Sequence, residues 1–113
     1  MQQRRWQNWA VFDEPRDALY LLQRWYVAQC DGEWEHSYGV TIDTLDNPGW
    51  TLRIELTATD LAQLAVDWSK VERSEHDWVH WRVHDGAYEA ACGPTNLNEA
   101  ILAFLDLSGA RRS

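Results

Sequence analysis

The sequence predicts an α+β fold, in which a four-stranded antiparallel sheet made of two β-hairpins carries helices on one face, in the order α-ββ-α-ββ-α. Three observations carry that expectation. Two stretches alternate apolar and polar residues, and each is interrupted by turn formers, Asp46-Asn47-Pro48-Gly49 in the first and Asp85-Gly86 in the second. Two other stretches, one early and one near the end, repeat apolar residues at helical spacing. The length, 113 residues with 45% hydrophobic and 25% charged, suits one domain around one core.

Residues 1–15 mix Arg, Gln, Trp and Pro15 without periodicity and read as an arm whose Trp6, Trp9 or Phe12 can dock on a single domain formed by residues 16–113. In "RDALYLLQRWYVAQC", Leu19, Leu22, Tyr26 and Gln29 share a stripe, and Asp17 suits the positive end of a helix that stops before Asp31-Gly32. "HSYGVTIDTL" and "WTLRIELT" then form the first hairpin, with Val40 and Ile42 on one face of the first strand and Trp50, Leu52, Ile54 and Leu56 on one face of the second. Thr59 or Asp60 is expected to cap a short helix over "LAQLAVDWS", with Leu61, Leu64, Ala65 and Trp68 in line, and "KVERSEHD" reads as a solvated loop. In the second hairpin Val79, Trp81 and Val83 alternate with His80, Arg82 and His84; after the turn, Tyr88, Ala90 and Cys92 face inward and Glu89 outward. Gly93-Pro94 stops that strand, Thr95 or Asn96 caps the last helix, and Leu97, Ile101 and Leu105 form its stripe beside Phe104.

Composition excludes several function classes. The chain has 18 acids against 10 Lys plus Arg, a net charge of -8, which repels nucleic acid and anionic membrane surfaces and favours a basic partner. No run of apolar residues is long enough for a membrane span, and the first residues lack the apolar run of a signal peptide, so a cytoplasmic protein is expected. Cys30 and Cys92 form no C-x-x-C and read as packed thiols. Eight tryptophans exceed what one small core needs if every indole N–H must find an acceptor, so some are expected at the surface.

Catalytic and metal chemistry find little support. His76, His80 and His84 recur every four residues, but four residues of strand span roughly 13 Å, too far for one metal ion, so they read as polar residues on an open sheet face. Cys92 precedes a helix start, where a thiol pKa can be lowered, yet it falls on the inward face with no base placed beside it. Phosphate loops, nucleophile elbows and H-E-x-x-H are absent. The reading is a non-enzymatic chain with no catalytic residue, no metal and no cofactor. Between Asp31 and Glu55, six acids face one base, a local balance of -5. Strand parity turns Glu35, Asp43, Arg53 and Glu55 outward and sets Trp34 near the rim, an acidic surface with an aromatic anchor suited to protein recognition. The expected partner-binding residues are Trp34, Glu35, His36, Asp43, Asp46 and Glu55.

"LLQRWYVAQCDGEWEHSYGVTIDTLDNPGW", "ERSEHDW" and "DGAYEAACGPTNLNEAI" resemble the immunity protein 53 family of bacterial polymorphic toxin systems, with its W-Y-x-x-Q-C-D-G-x-W-E-H, L-D-N-P-G-W and A-C-G-P-x-N-L segments. The similarity runs from about Leu21 to Leu105. Its signature positions here are Trp25, Cys30, Asp31, Gly32, Trp34, Glu35, His36, Gly39, Asp46, Asn47, Pro48, Gly49, Trp50, Cys92, Gly93 and Pro94. The resemblance implies an α+β protein that binds and neutralises a cognate toxin domain in the producing cell. The rival from another class is a small enzyme or small-molecule binder with a thiol-containing cleft near Cys30, His36 and Cys92. A rhodanese-like sulfurtransferase label is set aside, because "ACGPTN" only faintly resembles the anion-cradling cysteine loop such an enzyme needs.

Overall fold

The computed structural model describes residues 17–109, so the expected arm, with Trp6, Trp9 and Phe12, lies outside the described residues. Along them run α1 (Ala18–Gln29), α2 (Trp34–Ser37), β1 (Val40–Leu45), β2 (Gly49–Glu55), β3 (Val66–Ser74), β4 (Asp77–His84), β5 (Ala87–Cys92) and α3 (Leu97–Ser108). The strands make one antiparallel sheet in the order β1-β2-β5-β4-β3. α3 lies against β2, β4 and β5, and α1 packs on α3. Among the described residues no helix is long and apolar enough to cross a membrane.

Local chemistry explains most elements. Asp17 caps α1, its carboxylate accepting the Leu19 N–H at 3.2 Å. The β4–β5 turn places Asp85 and Gly86 at φ 54° and 78°, the paired positive values a two-residue hairpin turn requires. In α3, Ala100, Ile101, Phe104 and Leu105 are buried at helical spacing against Leu52, Ile54, Val79, Val83, Tyr88 and Ala90 of the sheet. Burial pushes the Tyr88 phenol well above its ordinary pKa, so it stays a neutral donor, bonding the Ala100 carbonyl at 2.7 Å.

The sheet has five strands, not the four expected, and the short helix over "LAQLAVDWS" does not form. After β2 the chain makes successive turns, with Thr59 N–H bonding Leu56 O, Ala62 N–H bonding Thr59 O and Leu64 N–H bonding Leu61 O, and then enters β3. Most of the segment read as a charged loop is thus an edge strand. The reason is physical: β3 pairs on one side only, is exposed along most of its length, and shifts register between Val66 and Ser69 and again between Glu72 and Ser74. Charges and bulges blunt a sheet edge and erase the alternation by which a strand is recognised. Leu61 and Leu64 still pack on the core, whereas Trp68 turns to the opposite face of the sheet.

The two hairpins lock together at one end. Trp50 lies opposite Cys92, and its indole N–H bonds the Pro94 carbonyl at 3.0 Å. A Cβ at Gly49 would fall on the Cys92 carbonyl oxygen, a backbone atom that cannot swing aside. Gly49→Ala should therefore cost at least about 2 kcal/mol, at the overpacking end of core substitutions. Gly39→Ala, where an added Cβ meets nothing within 4 Å, should change stability far less. Urea midpoints of the two variants check this, and equal midpoints would contradict the lock.

Candidate interaction surfaces

Three sequence segments prominent above turn out to build corners of the fold. In the first, Asp31 accepts the N–H groups of Glu33 and Trp34 at 3.0 and 2.9 Å, while Glu35 reaches back to the N–H groups of Asp31 and Gly32. The bonds from Trp34 and Glu33 hold the Asp31 carboxyl below its ordinary pKa. In the second, Asn47-Pro48 is a cis peptide leading into the Gly49–Trp50 lock. In the third, Gly93 donates to Trp78 O at 2.9 Å and has no room for a side chain, since a Cβ would lie 2.6 Å from His76 O and from Asn96 Oδ1. Asn96, buried at 5% exposure, gathers that corner: it accepts from Trp78 N–H and donates to Asp77 at 2.9 Å and Glu99 at 3.2 Å. Arg73 pairs with the same two acids, and the bonds from Arg73 and Asn96 keep both carboxyls below their ordinary pKa.

The residues expected to meet a partner do not form one patch. Trp34 is 5% exposed rather than at the rim: its indole N–H bonds Thr57 O at 2.9 Å, and its ring touches Trp25, Tyr26 and Tyr38. Burial of that kind supports the fold and leaves no ring free to anchor a partner. Glu35 is half-buried and occupied with the corner at Asp31, while His36 is exposed in the last turn of α2. Glu55, at the far end of β2, pairs with Arg53 at 3.0 Å. Asp43 and Asp46 lie toward the β1–β2 turn, both exposed, and among the described residues no basic side chain pairs with either. Asp43 accepts only the neighbouring Thr44 N–H, at 2.9 Å.

Sequence reading missed two surfaces. The first is the sheet face turned away from the helices, where Glu55, Arg53, Glu89 and Arg82 form a continuous ionic row ending with the Arg82 guanidinium 4.7 Å from the Trp68 ring centre. Beside it His80 contacts Glu72 at 2.6 Å and packs on Trp78, next to a depression of about 540 Å³ at Ala91. The second is an apolar groove of about 340 Å³ between α1 and β1, lined by Leu19, Leu22, Gln23, Tyr26, Gly39, Val40 and Ile42. The signal for it was present: Leu19, Leu22 and Tyr26 share a helical stripe, of which Leu22 is buried while Leu19 and Tyr26 stay exposed in the groove.

Chemistry of the thiol and imidazole kind is not assembled. Cys92 is 1% exposed in the core, and burial pushes its thiol up to about 11. Cys30 ends α1 and donates to its own helix, to Tyr26 O. Neither thiol lines the two grooves above or the smaller hollow bordered by Asp31, Trp34 and Tyr38. His76 sits in the β3–β4 turn and His80 and His84 along β4. Among the described residues no group of three His, Cys, Asp or Glu side chains could hold a metal ion.

Comparison with known proteins finds that the sequence model described as immunity protein 53 matches residues 19–109. No curated protein and no solved structure matches.

Two outcomes follow from the geometry. Cys92 should resist a thiol reagent at neutral pH until the chain is denatured, with half-buried Cys30 as the internal comparison; fast labelling of Cys92 in the folded protein would revive a thiol-based activity. For Glu89, partial burial raises the pKa, but Arg82 and Arg53 outweigh it and hold the carboxyl below its ordinary value. A carboxyl depressed in the folded state stabilises above its unfolded pKa and loses that contribution as pH falls through the folded one. Glu89→Gln should thus be less stable than wild type at neutral pH, and the gap should close as pH falls below 4.5. Denaturant midpoints across pH check the sign.

Proposed function

Because the chain belongs to the immunity protein 53 family, we propose that it binds a toxin domain directly and neutralises it in the cytoplasm of the producing cell, without catalysis. The family match over residues 19–109 is the observation that carries this reading. The structure is compatible with it: the most buried thiol is protonated and enclosed, and the exposed chemistry is of the kind proteins use to recognise proteins.

The partner is a basic surface. Within the acidic segment, Glu55 alone pairs with a cation among the described residues, and Asp31 and Glu35 are tied to backbone N–H groups; Asp43 and Asp46, like Glu33, are exposed without a basic partner, and these two project from the β1–β2 hairpin of a chain whose net charge is -8. Unpaired acids at a rim steer an oppositely charged partner and act mainly on the rate of encounter. Glu55 and Glu35 contribute less, being held by Arg53 and by backbone N–H groups. Trp34 serves the site indirectly, by holding α2 in place.

The test uses the toxin domain encoded beside this chain. Wild type should bind it and restore growth to cells expressing it. The double variant Asp43→Lys, Asp46→Lys should fold normally but associate about tenfold more slowly at low salt, with a flatter salt dependence. A wild-type chain that neither binds nor protects would overturn the immunity reading, whereas unchanged association by the double variant would move the contact away from this hairpin.

A further inference from the structure

β1 and β3 are both edge strands, but they are not equivalent. β3 carries Lys70, Glu72 and Arg73 and two register shifts, the usual guards against an added strand. β1 pairs with β2 over six consecutive positions without a shift, has a single charged residue, and offers its other edge unpaired among the described residues. Six residues span about 20 Å, enough for a partner strand of ordinary length.

The space beside that edge is built for side chains. Val40, Ile42 and Thr44 face the helix side, since Ile42 lies opposite buried Leu52, and Thr41 and Asp43 face the open side, opposite Arg53 and Thr51. On the helix side the groove between α1 and β1 presents Leu19, Tyr26 and Ile42, which are 48%, 36% and 39% exposed. These three make up half of the six large hydrophobic residues exposed in the described part of the chain. An extended segment laid along β1 would alternate its side chains between that groove and the position beside Asp43.

Resting on the immunity reading above, we propose that β1 accepts a strand from the toxin domain, one that alternates apolar residues, which enter the α1–β1 groove, with a basic residue that pairs with Asp43. Main-chain hydrogen bonds along the edge supply the affinity, and the groove and the acid select the sequence. Charge decides between occupants. A second copy of this chain would bring Asp43 and Asp46 against the same acids in a molecule of charge -8, whereas a basic strand neutralises them.

Hydrogen exchange of the full chain, free and mixed with the toxin domain encoded beside it, tests the proposal. The β1 amides that point away from β2 should gain protection in the complex while those of β3 stay unchanged. Ile42→Lys and Leu19→Lys should each weaken binding by about tenfold or more without lowering the melting temperature, and Trp68→Ala, on the open sheet face, should leave it within about twofold. Protection of the β3 edge instead, or a loss of binding with Trp68→Ala alone, would overturn strand addition. So would protection, in the free chain, of the β1 amides that point away from β2, independent of concentration if residues of the same chain cover the edge and rising with concentration if a second copy does. Should wild type bind and protect cells with the outward-pointing β1 amides still exchanging freely, strand addition fails and the immunity reading stands; should it not bind at all, that reading fails first.

Discussion

A chain of aromatic contacts holds the helices to the sheet, and the rest of the structure depends on it. Trp34 meets Trp25 edge-on at 6.1 Å, Trp25 meets Phe104 at 4.9 Å, Phe104 packs on Tyr88 at 5.3 Å, and Tyr88 on Trp81 at 5.7 Å. Five rings thus join α2, α1, α3, β5 and β4. Edge-to-face pairs add to the area each ring buries, and a row of them fixes orientation as well as distance. The polar parts are answered along the way: Trp34 by Thr57 O, Tyr88 by Ala100 O, and, at the other end of the sheet, Trp50 by Pro94 O. No buried side-chain polar atom is left without a partner among the described residues. The abundance of tryptophan has a double cause, with Trp25, Trp34, Trp50 and Trp81 packed against or within the core and Trp68 and Trp78 on the uncovered face.

Both hairpins and both long helices were legible because each writes its period into the residues it buries. Leu52 and Ile54 alternate with polar residues because every second position there faces α3, and Asp85-Gly86 marks its turn by backbone demand alone. β3 was illegible for the complementary reason. A strand paired on one side, bulged twice and exposed along its length buries too little to impose a pattern, and charges chosen to guard an edge look like a loop. Trp34 was misplaced because parity was extended into residues that form a helical turn rather than a strand. The acidic segment was read correctly as a charge count, but its members divide between capping work and open solvent, a distinction only three-dimensional contacts reveal.

The segments shared with the immunity protein 53 pattern prove to be corners of the scaffold. Asp31 and Glu35 tie a turn through four backbone N–H groups, Gly49 and Gly93 admit close backbone approach, and Asn96 joins β4 to the start of α3. These contacts are directed at backbone atoms or at one another. The open surfaces, β1 with its groove and the uncovered sheet face, take little part in these corner contacts.

That division of labour has a consequence for how the molecule tolerates change. Thr41, Asp43 and Thr44 point into solvent from a strand whose backbone is already held by β2, so replacing them disturbs no packed neighbour. Exposed substitutions of this sort shift stability by about 0.5 kcal/mol or less. The scaffold's corners are meanwhile anchored elsewhere, at Gly49, Gly93 and Asn96. A lineage carrying this fold can therefore rewrite the letters along one strand, step by step, while every intermediate remains folded.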